Sequence, residues 1–468
     1  MNLPVKEYKV DQKSSVKKKI VIPICTNLVV RNFIESGAFR DLSRHYELYF
    51  ISLSSVNKEI HLVNCFTVSN RDLPRRAKLR TRSDFISMKR FQKRSATFPI
   101  KYYETYYKLL PFQKKIVADF LTLPVVAECF MKVNEFTLGT MSEVDKIVEQ
   151  IKPDFMLIPS AFNDSFTIDC LKTAKKKGIK HLFVMFNWDN VSSKGVLPVL
   201  PDYIAVWGEQ TREHANKIHR IPNECIFILG SPQFEHYRRD LKLTREEFRK
   251  KNEVPLDKKV LLFAGMSRLS DEISILCMLE EAIEKGELPD VHILFRPHPW
   301  KAVQPYEKNF FDCGFRHITM DVQLCDHYKK ILQNPKESVH QDTFTPDYEY
   351  YPSLFNAIDG VISPGTTLGI EAMAMGKPVL IKAFPDDDGR FWADVQIHAY
   401  EHHSCWKKMK GTIICSEKKA FIKDCNKLLE LIHHADISEV IKKEVRYVVY
   451  NDEQFYSQRL LECVNRLI

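Results

Sequence analysis

Short runs of consecutive apolar residues, each closed by a polar or turn-forming cluster, recur along the chain and alternate with stretches whose apolar positions repeat every three or four residues. The runs suit strands buried on both faces, and the stretches between them suit amphipathic helices. The first run, Ile20-Val21-Ile22-Pro23-Ile24-Cys25, is followed by a helical pattern around Phe33 to Leu42. Leu48 to Ile51 and His61 to Val63 predict the next two strands. The rhythm then stops, and residues 75–150 predict a mainly helical insertion. It resumes with strands at Phe155 to Ile158, His181 to Phe186, Tyr203 to Trp207 and Cys225 to Leu229. The helix before His181 ends at Lys175-Lys176-Lys177-Gly178, where basic residues and a glycine are both C-terminal signals.

A charged, turn-rich stretch over 236–257 precedes a second series: a strand at Val260 to Phe263, a helix from Asp271 to Lys285 and a strand at Val291 to Phe295. After a less regular region to about residue 350 comes a strand, turn, helix and strand from Ile358 to Leu380, and Ser416 to Ile468 reads as helices. The expected organisation is a polar tail (1–19), a first α/β domain (20–235), a linker (236–257), a second α/β domain (258–415) and terminal helices (416–468). Both domains are expected to be doubly wound and Rossmann-like. They should face each other across a cleft, because ligands collect outside the carboxyl ends of parallel strands.

Composition narrows the setting. The 468 residues suffice for two or three domains, and 44% hydrophobic residues is ordinary for packed cores. Twelve cysteines stand singly, without a C-x-x-C pair, which argues against a disulfide framework or zinc site and for a reducing, cytoplasmic location. No stretch reaches the roughly 20 apolar residues of a membrane span, so a soluble or peripheral protein is expected. The net charge of +9 is uneven. Arg75, Arg76, Arg80, Arg82, Lys89 and Arg90 crowd a run with few acids, which is either a solvated helical face or a patch for an anionic acceptor or the inner face of a membrane. Without aromatic interleaving, nucleic acid is not an expected partner.

Four clusters follow predicted strands. In Ser363-Pro364-Gly365-Thr366-Thr367, Pro364-Gly365 can turn the chain and a threonine can cap a helix whose N-terminus suits a diphosphate. Glu371, one turn further in, is placed to accept hydrogen bonds from ribose hydroxyls. In Arg296-Pro297-His298-Pro299 the prolines fix a guanidinium and an imidazole at spacings suited to phosphate. Gly265-Met266-Ser267-Arg268 permits close backbone approach and offers donors from Ser267 and Arg268. Asn187-Trp188-Asp189-Asn190, leading on to Lys194-Gly195, supports two readings: Asp189 as a general base or sugar-hydroxyl ligand, or an Asx-rich turn. Asp386-Asp387-Asp388-Gly389 is either a cation site or a solvated turn.

Together, the tandem α/β pattern, Arg296-Pro297-His298-Pro299 and the segment from Ser363 through Glu371 to Gly376-Lys377-Pro378 resemble the GT-B glycosyltransferases, in particular bacterial surface-polysaccharide transferases and the CDP-glycerol glycerophosphotransferase group. The motif match covers about residues 258–400; the first half matches in architecture and in Trp188-Asp189-Asn190. The resemblance implies a nucleotide-sugar donor in the second domain, a glycan or lipid-linked glycan acceptor in the first, terminal helices packed across the cleft, and transfer without metal or other cofactor. It also implies that Arg296 and His298 contact donor phosphate, Thr366 and Thr367 cap it, and Glu371 binds ribose, with Gly265, Ser267, Arg268, Ser363 and Gly365 beside them. Many retaining members carry a second glutamate eight positions before the ribose one; here that position is Ser363, so inversion by a first-domain base is expected, with Asp189 first and Asp164 second. His298 is the candidate instead if the transferred unit is a polyol phosphate. A sugar-nucleotide 2-epimerase, which needs several acids and histidines around one hexose, and a non-catalytic nucleotide-binding partner are the competing readings.

Overall fold

In a computed structural model the described residues are 17–56, 62–266, 271–299, 309–333, 347–386 and 392–468. Seven strands form the first sheet: β1 (Lys19–Ile24), β2 (Glu47–Leu53), β3 (Cys65–Val68), β4 (Phe155–Ser160), β5 (Lys180–Met185), β6 (Tyr203–Val206) and β7 (Ile226–Ile228). Their order is β3-β2-β1-β4-β5-β6-β7, with parallel pairing throughout. The second sheet holds β8 (Lys259–Ala264), β9 (Val291–Arg296), β10 (Ile318–Met320), β11 (Gly360–Ser363), β12 (Val379–Lys382) and β13 (Thr412–Cys415). It is also parallel, in the order β10-β9-β8-β11-β12-β13. β4, β9, β11 and β12 are buried at every residue, as strands covered by helices on both faces must be.

Both sheets reverse direction of growth once, between β1 and β4 and between β8 and β11. These switch points open a crevice at the carboxyl ends of the strands. The third strand lies four residues later than predicted. Val63 is exposed and His61 lies outside the described residues; Cys65 is the residue that pairs with Phe50.

Two of the contact sets that fasten the halves together lie outside the crevice. Trp188, after β5, meets His402 and Trp406 of the second half edge-on, at centroid distances of 5.0 and 5.7 Å. Around them Gln210 Nε2 donates to the His402 carbonyl (2.8 Å) and Lys217 pairs with Glu401 (2.6 Å). The last helix, Tyr456–Leu467, lies against the first half: Ser457 Oγ donates to Asp41, the Tyr456 amide to Glu235 (2.9 Å), and Arg459 Nε to the Leu229 carbonyl (3.0 Å).

The insertion contains helices Leu73–Arg90, Thr97–Thr105, Phe112–Leu121 and Pro124–Leu138. Arg76 and Arg80 of its basic run are turned inward, which removes them from the expected anion patch. Arg80 forms ion pairs with Glu135 (2.9 Å) and Asp169 (2.6 Å) and donates to the Ser165 carbonyl (2.7 Å). Arg76 joins Asp169 (2.9 Å) and Asp72 (2.7 Å), and Arg90 pairs with Glu128 (2.8 Å). Lys89 lies over the Tyr102 ring and Arg82 over Phe130, leaving Arg75 and Arg82 as the exposed arginines of the proposed set. A buried carboxylate stripped of its partner is costly. Arg80→Ala is therefore expected to lower the stability of the first half by about 3–5 kcal/mol, read as a shift in urea unfolding.

Candidate functional site

A cavity of about 380 Å³ opens where the two switch points meet. Each half supplies one wall. From the first come Leu28 and Arg31 after β1, Ala161 after β4, Asn187, Asn190 and Lys194 after β5, and Gln233. The second adds Gly265 after β8, Arg296 to Pro299 at the end of β9, Tyr351, and Thr366, Thr367 and Glu371 after β11.

The β11 turn is built for close approach. Gly365 has φ +79°, a backbone conformation that side-chain-bearing residues rarely adopt, and a Cβ there would press on Ile397, so glycine suits the turn. Ser363 is buried beneath the turn, where its Oγ accepts from the Thr366 amide (3.2 Å). Neither Ser363 nor Gly365 lines the cavity; they shape the loop that does. Thr366 is the N-cap of helix Thr367–Ala374, and its side chain makes no hydrogen bond to the helix amides. The positive end of that helix therefore faces the cavity uncapped, a site suited to an anion.

Glu371 is buried on this helix, and burial raises its carboxyl to about 7 despite hydrogen bonds from Tyr237 and Gln233. Gln233 Nε2 donates to Glu371 Oε1 (2.9 Å), Asn32 Nδ2 to Gln233 Oε1 (3.2 Å), and Arg31 Nε to Asn32 Oδ1 (2.9 Å). A hydrogen-bonded line thus runs across the crevice from a first-half arginine to the second-half carboxylate.

Arg296 reaches the cavity with its guanidinium engaged: it forms an ion pair with Asp321, donates to Gln323 Oε1 (2.7 Å), and lies 4.8 Å from the Tyr351 ring centre. Its expected phosphate contact is thus limited to whatever edge those partners leave. His298 is held neutral, its imidazole lowered to about 4 by burial and, secondarily, by Arg296. Gly265 lines the cavity, and it lies so close to the β9 loop that a Cβ there would meet the His298 amide at 2.9 Å. Ser267 and Arg268 lie outside the described residues.

Neither expected base lines the cavity. Asp189 turns back on its own loop and accepts from Ser193 Oγ (2.9 Å), the Asx-turn alternative. Asp164 caps helix Ser165–Lys176 by accepting from the Thr167 amide (2.8 Å). The expectation of inversion loses the residues it relied on, because the first-half wall carries no carboxylate or histidine among the described residues. In place of Asp189, the same loop presents Lys194, which has no hydrogen bond or ion pair among the described residues. Lys194, Arg31, Asn32 and Gln233 were not among the expected site residues; Lys194 stood within the quoted loop, whereas the others lie in segments without a recognisable motif. Asp386 pairs with Lys382 (3.0 Å), its two following acids lie outside the described residues, and no group of three or more metal-ligating side chains occurs among those described.

The architecture is the GT-B fold, two parallel-sheet α/β domains with a cleft between them. UDP-GlcNAc 2-epimerase from Neisseria meningitidis, solved with UDP-GlcNAc, aligns over 96% of this chain and 100% of its own at 13% identity and a TM-score of 0.51. The glycotransferase of kitacinnamycin aligns over 97% and 100% at 11% identity and the same TM-score of 0.51. The MnaA protein of S. aureus, in a co-structure with UDP, aligns over 96% and 98% at 13% identity and a TM-score of 0.50. No protein-family model and no curated protein matches the sequence.

A carboxyl raised by burial binds its proton more tightly in the folded than in the unfolded chain, so between its ordinary value and about 7 stability falls as pH rises. Glu371→Gln removes that penalty. The variant is expected to gain on the natural protein between pH 5 and pH 8, by at most about 3 kcal/mol, as measured by denaturant unfolding at the two pH values.

Proposed function

We propose that this protein is a nucleotide-sugar-dependent glycosyltransferase acting on a surface-glycan or glycolipid acceptor. The observation that carries the reading is the cavity at the paired switch points, where Arg31 and Lys194 face an uncapped helix N-terminus across the crevice. Such a set suits a diphosphate, and a ligand spanning both walls would draw the domains together. The neighbours of known structure include both glycosyltransferases and 2-epimerases. Transfer is favoured because the cavity offers one carboxylate and one histidine among its described lining, fewer than epimerisation of a hexose requires.

In this mechanism the acceptor hydroxyl attacks the anomeric carbon while the bond from that carbon to the diphosphate oxygen breaks, its electron pair leaving with the diphosphate. The helix N-terminus at Thr366 and Thr367, with Lys194 opposite, stabilises the charge that develops there. The hydroxyl proton passes to His298, which is neutral in the free protein and gains basicity when an anion binds beside it. Glu371, polarised by Gln233, receives the ribose hydroxyls.

A thermal-shift screen with UDP, CDP, GDP and CMP should show one base stabilising the protein progressively with concentration. No shift with any of them overturns the reading; CDP as the preferred base would move it to polyol-phosphate transfer. Lys194→Ala should weaken the preferred nucleotide by about 1.5–3 kcal/mol, the scale of a hydrogen bond to a charged group. With the donor known, His298→Asn should lower kcat by about a hundredfold or more and leave nucleotide affinity nearly intact. Lost affinity with unchanged kcat would assign His298 to phosphate binding alone.

A further inference from the structure

The large apolar side chains that the protein leaves in solvent are concentrated in one place. Along helix Phe112–Leu121, Phe112, Ile116 and Phe120 are exposed and spaced four residues apart, which puts them on one face, and Leu109 and Leu123 on its flanks are exposed as well. Phe112 is 78% exposed, and Ala118 is the one residue of this helix that is buried. The adjoining helix, Pro124–Leu138, repeats the pattern outward with Val125 (75% exposed), Val133 and Phe136 (86% exposed) and buries Ala127, Asn134, Glu135 and Leu138. An amphipathic helix normally turns its apolar face to the core; here both helices turn apolar residues away from it.

The charges around this face identify what covers it. Two of its acids are paired with the protein, Glu128 with Arg90 (2.8 Å) and Glu135 with Arg80 (2.9 Å), while Asp119 is exposed and accepts from the Tyr107 hydroxyl (3.0 Å). Lys114 and Lys132 are exposed and have no ion pair among the described residues. Tyr102, Tyr103 and Tyr107 form a packed group at the base of the helices, with Tyr103 and Tyr107 at 6.3 Å. Protruding phenylalanines, unpaired lysines and tyrosines at the boundary match the layers of a bilayer surface: acyl chains, anionic headgroups and the interface between them.

We propose that the hairpin of helices Phe112–Leu121 and Pro124–Leu138 docks the protein onto an anionic lipid bilayer, lying in the headgroup plane without crossing it. No helix among the described residues is long and apolar enough to span a membrane. The docking element connects directly to the cleft. The preceding part of the insertion holds the loop that carries Lys194: Lys101 Nζ donates to the Ser193 carbonyl (2.6 Å), Ser95 Oγ to that of Ser192 (2.9 Å), and the Val196 amide to Ser87 Oγ (3.2 Å). A membrane-held hairpin therefore presents the first-half wall to substrates at the lipid surface.

Co-sedimentation of the full chain with vesicles tests this without nucleotide or acceptor. The protein should pellet with phosphatidylglycerol-containing vesicles, less with pure phosphatidylcholine, and less again at high salt. The triple variant Phe112→Gln, Phe120→Gln, Phe136→Gln should bind at least about tenfold more weakly, with an unchanged unfolding midpoint because the replaced side chains are exposed. Lys114→Glu with Lys132→Glu should weaken binding to anionic vesicles only. Leu256→Gln, an exposed apolar residue elsewhere, should bind as the natural protein does. Equal binding by the triple variant, or no binding by the natural protein, overturns the proposal. So does a dimer in sedimentation equilibrium that the triple variant dissolves, which would make a second copy the occupant of this face.

Discussion

The site depends on one buried carboxylate. Glu371 sits on the helix whose N-terminus faces the cavity, and it is bound across the crevice through Gln233 and Asn32 to Arg31. Gln233 from one segment, held by Asn32 beside Arg31 from another, must reach Glu371 for its oxygen to be satisfied, because a buried polar group without a partner costs about 1–3 kcal/mol. The same requirement fixes the spacing of the domains. Were they to part, Gln233 would lose Glu371 and the carboxylate would take water instead, which lowers its proton affinity. Opening of the crevice and ionisation of Glu371 are thus linked, each favouring the other.

The interdomain contact is dense elsewhere as well. Trp188 against His402 and Trp406, with Gln210 on the His402 carbonyl, forms an apolar seam that holds the domains near the cavity. The last helix closes the opposite side with Ser457 on Asp41 and Arg459 on the Leu229 carbonyl. The apolar seam supplies area and the polar contacts supply register.

The strands were largely legible because parallel strands covered on both faces must be apolar throughout, and such runs stand out without knowledge of pairing. β10 and β13 escaped because three- and four-residue strands at the sheet edges, partly exposed, carry too short a signal. The site was legible only in part, for a different reason. Position after a strand identifies a loop at the cleft but not which of its side chains points inward: in 187–195 the carboxylate folded back on Ser193 and the lysine turned to the cavity. Asp164 carried an N-cap in the same pattern that suggested a base. Arg80 was invisible as a structural cation because its partners, Asp169 and Glu135, lie tens of residues away in sequence, as does the Asp169 that Arg76 shares.

The charge balance of the cavity follows from these placements. Arg296 is neutralised locally by Asp321, so its charge serves the β9–β10 edge of the sheet more than the crevice. Lys194 lies on the opposite wall beside Arg31, and Glu371, the one carboxylate of the cavity among the described residues, holds its proton until about neutral pH. With that proton in place, Lys194 and the partial positive end of a helix set the field in the crevice. An incoming polyanion is favoured by this field and in turn disfavours ionisation of Glu371, which keeps the carboxyl available as a donor as well as an acceptor. The buried acid stays neutral because of its distance from bulk water, which is set by the same domain contact that it helps to hold.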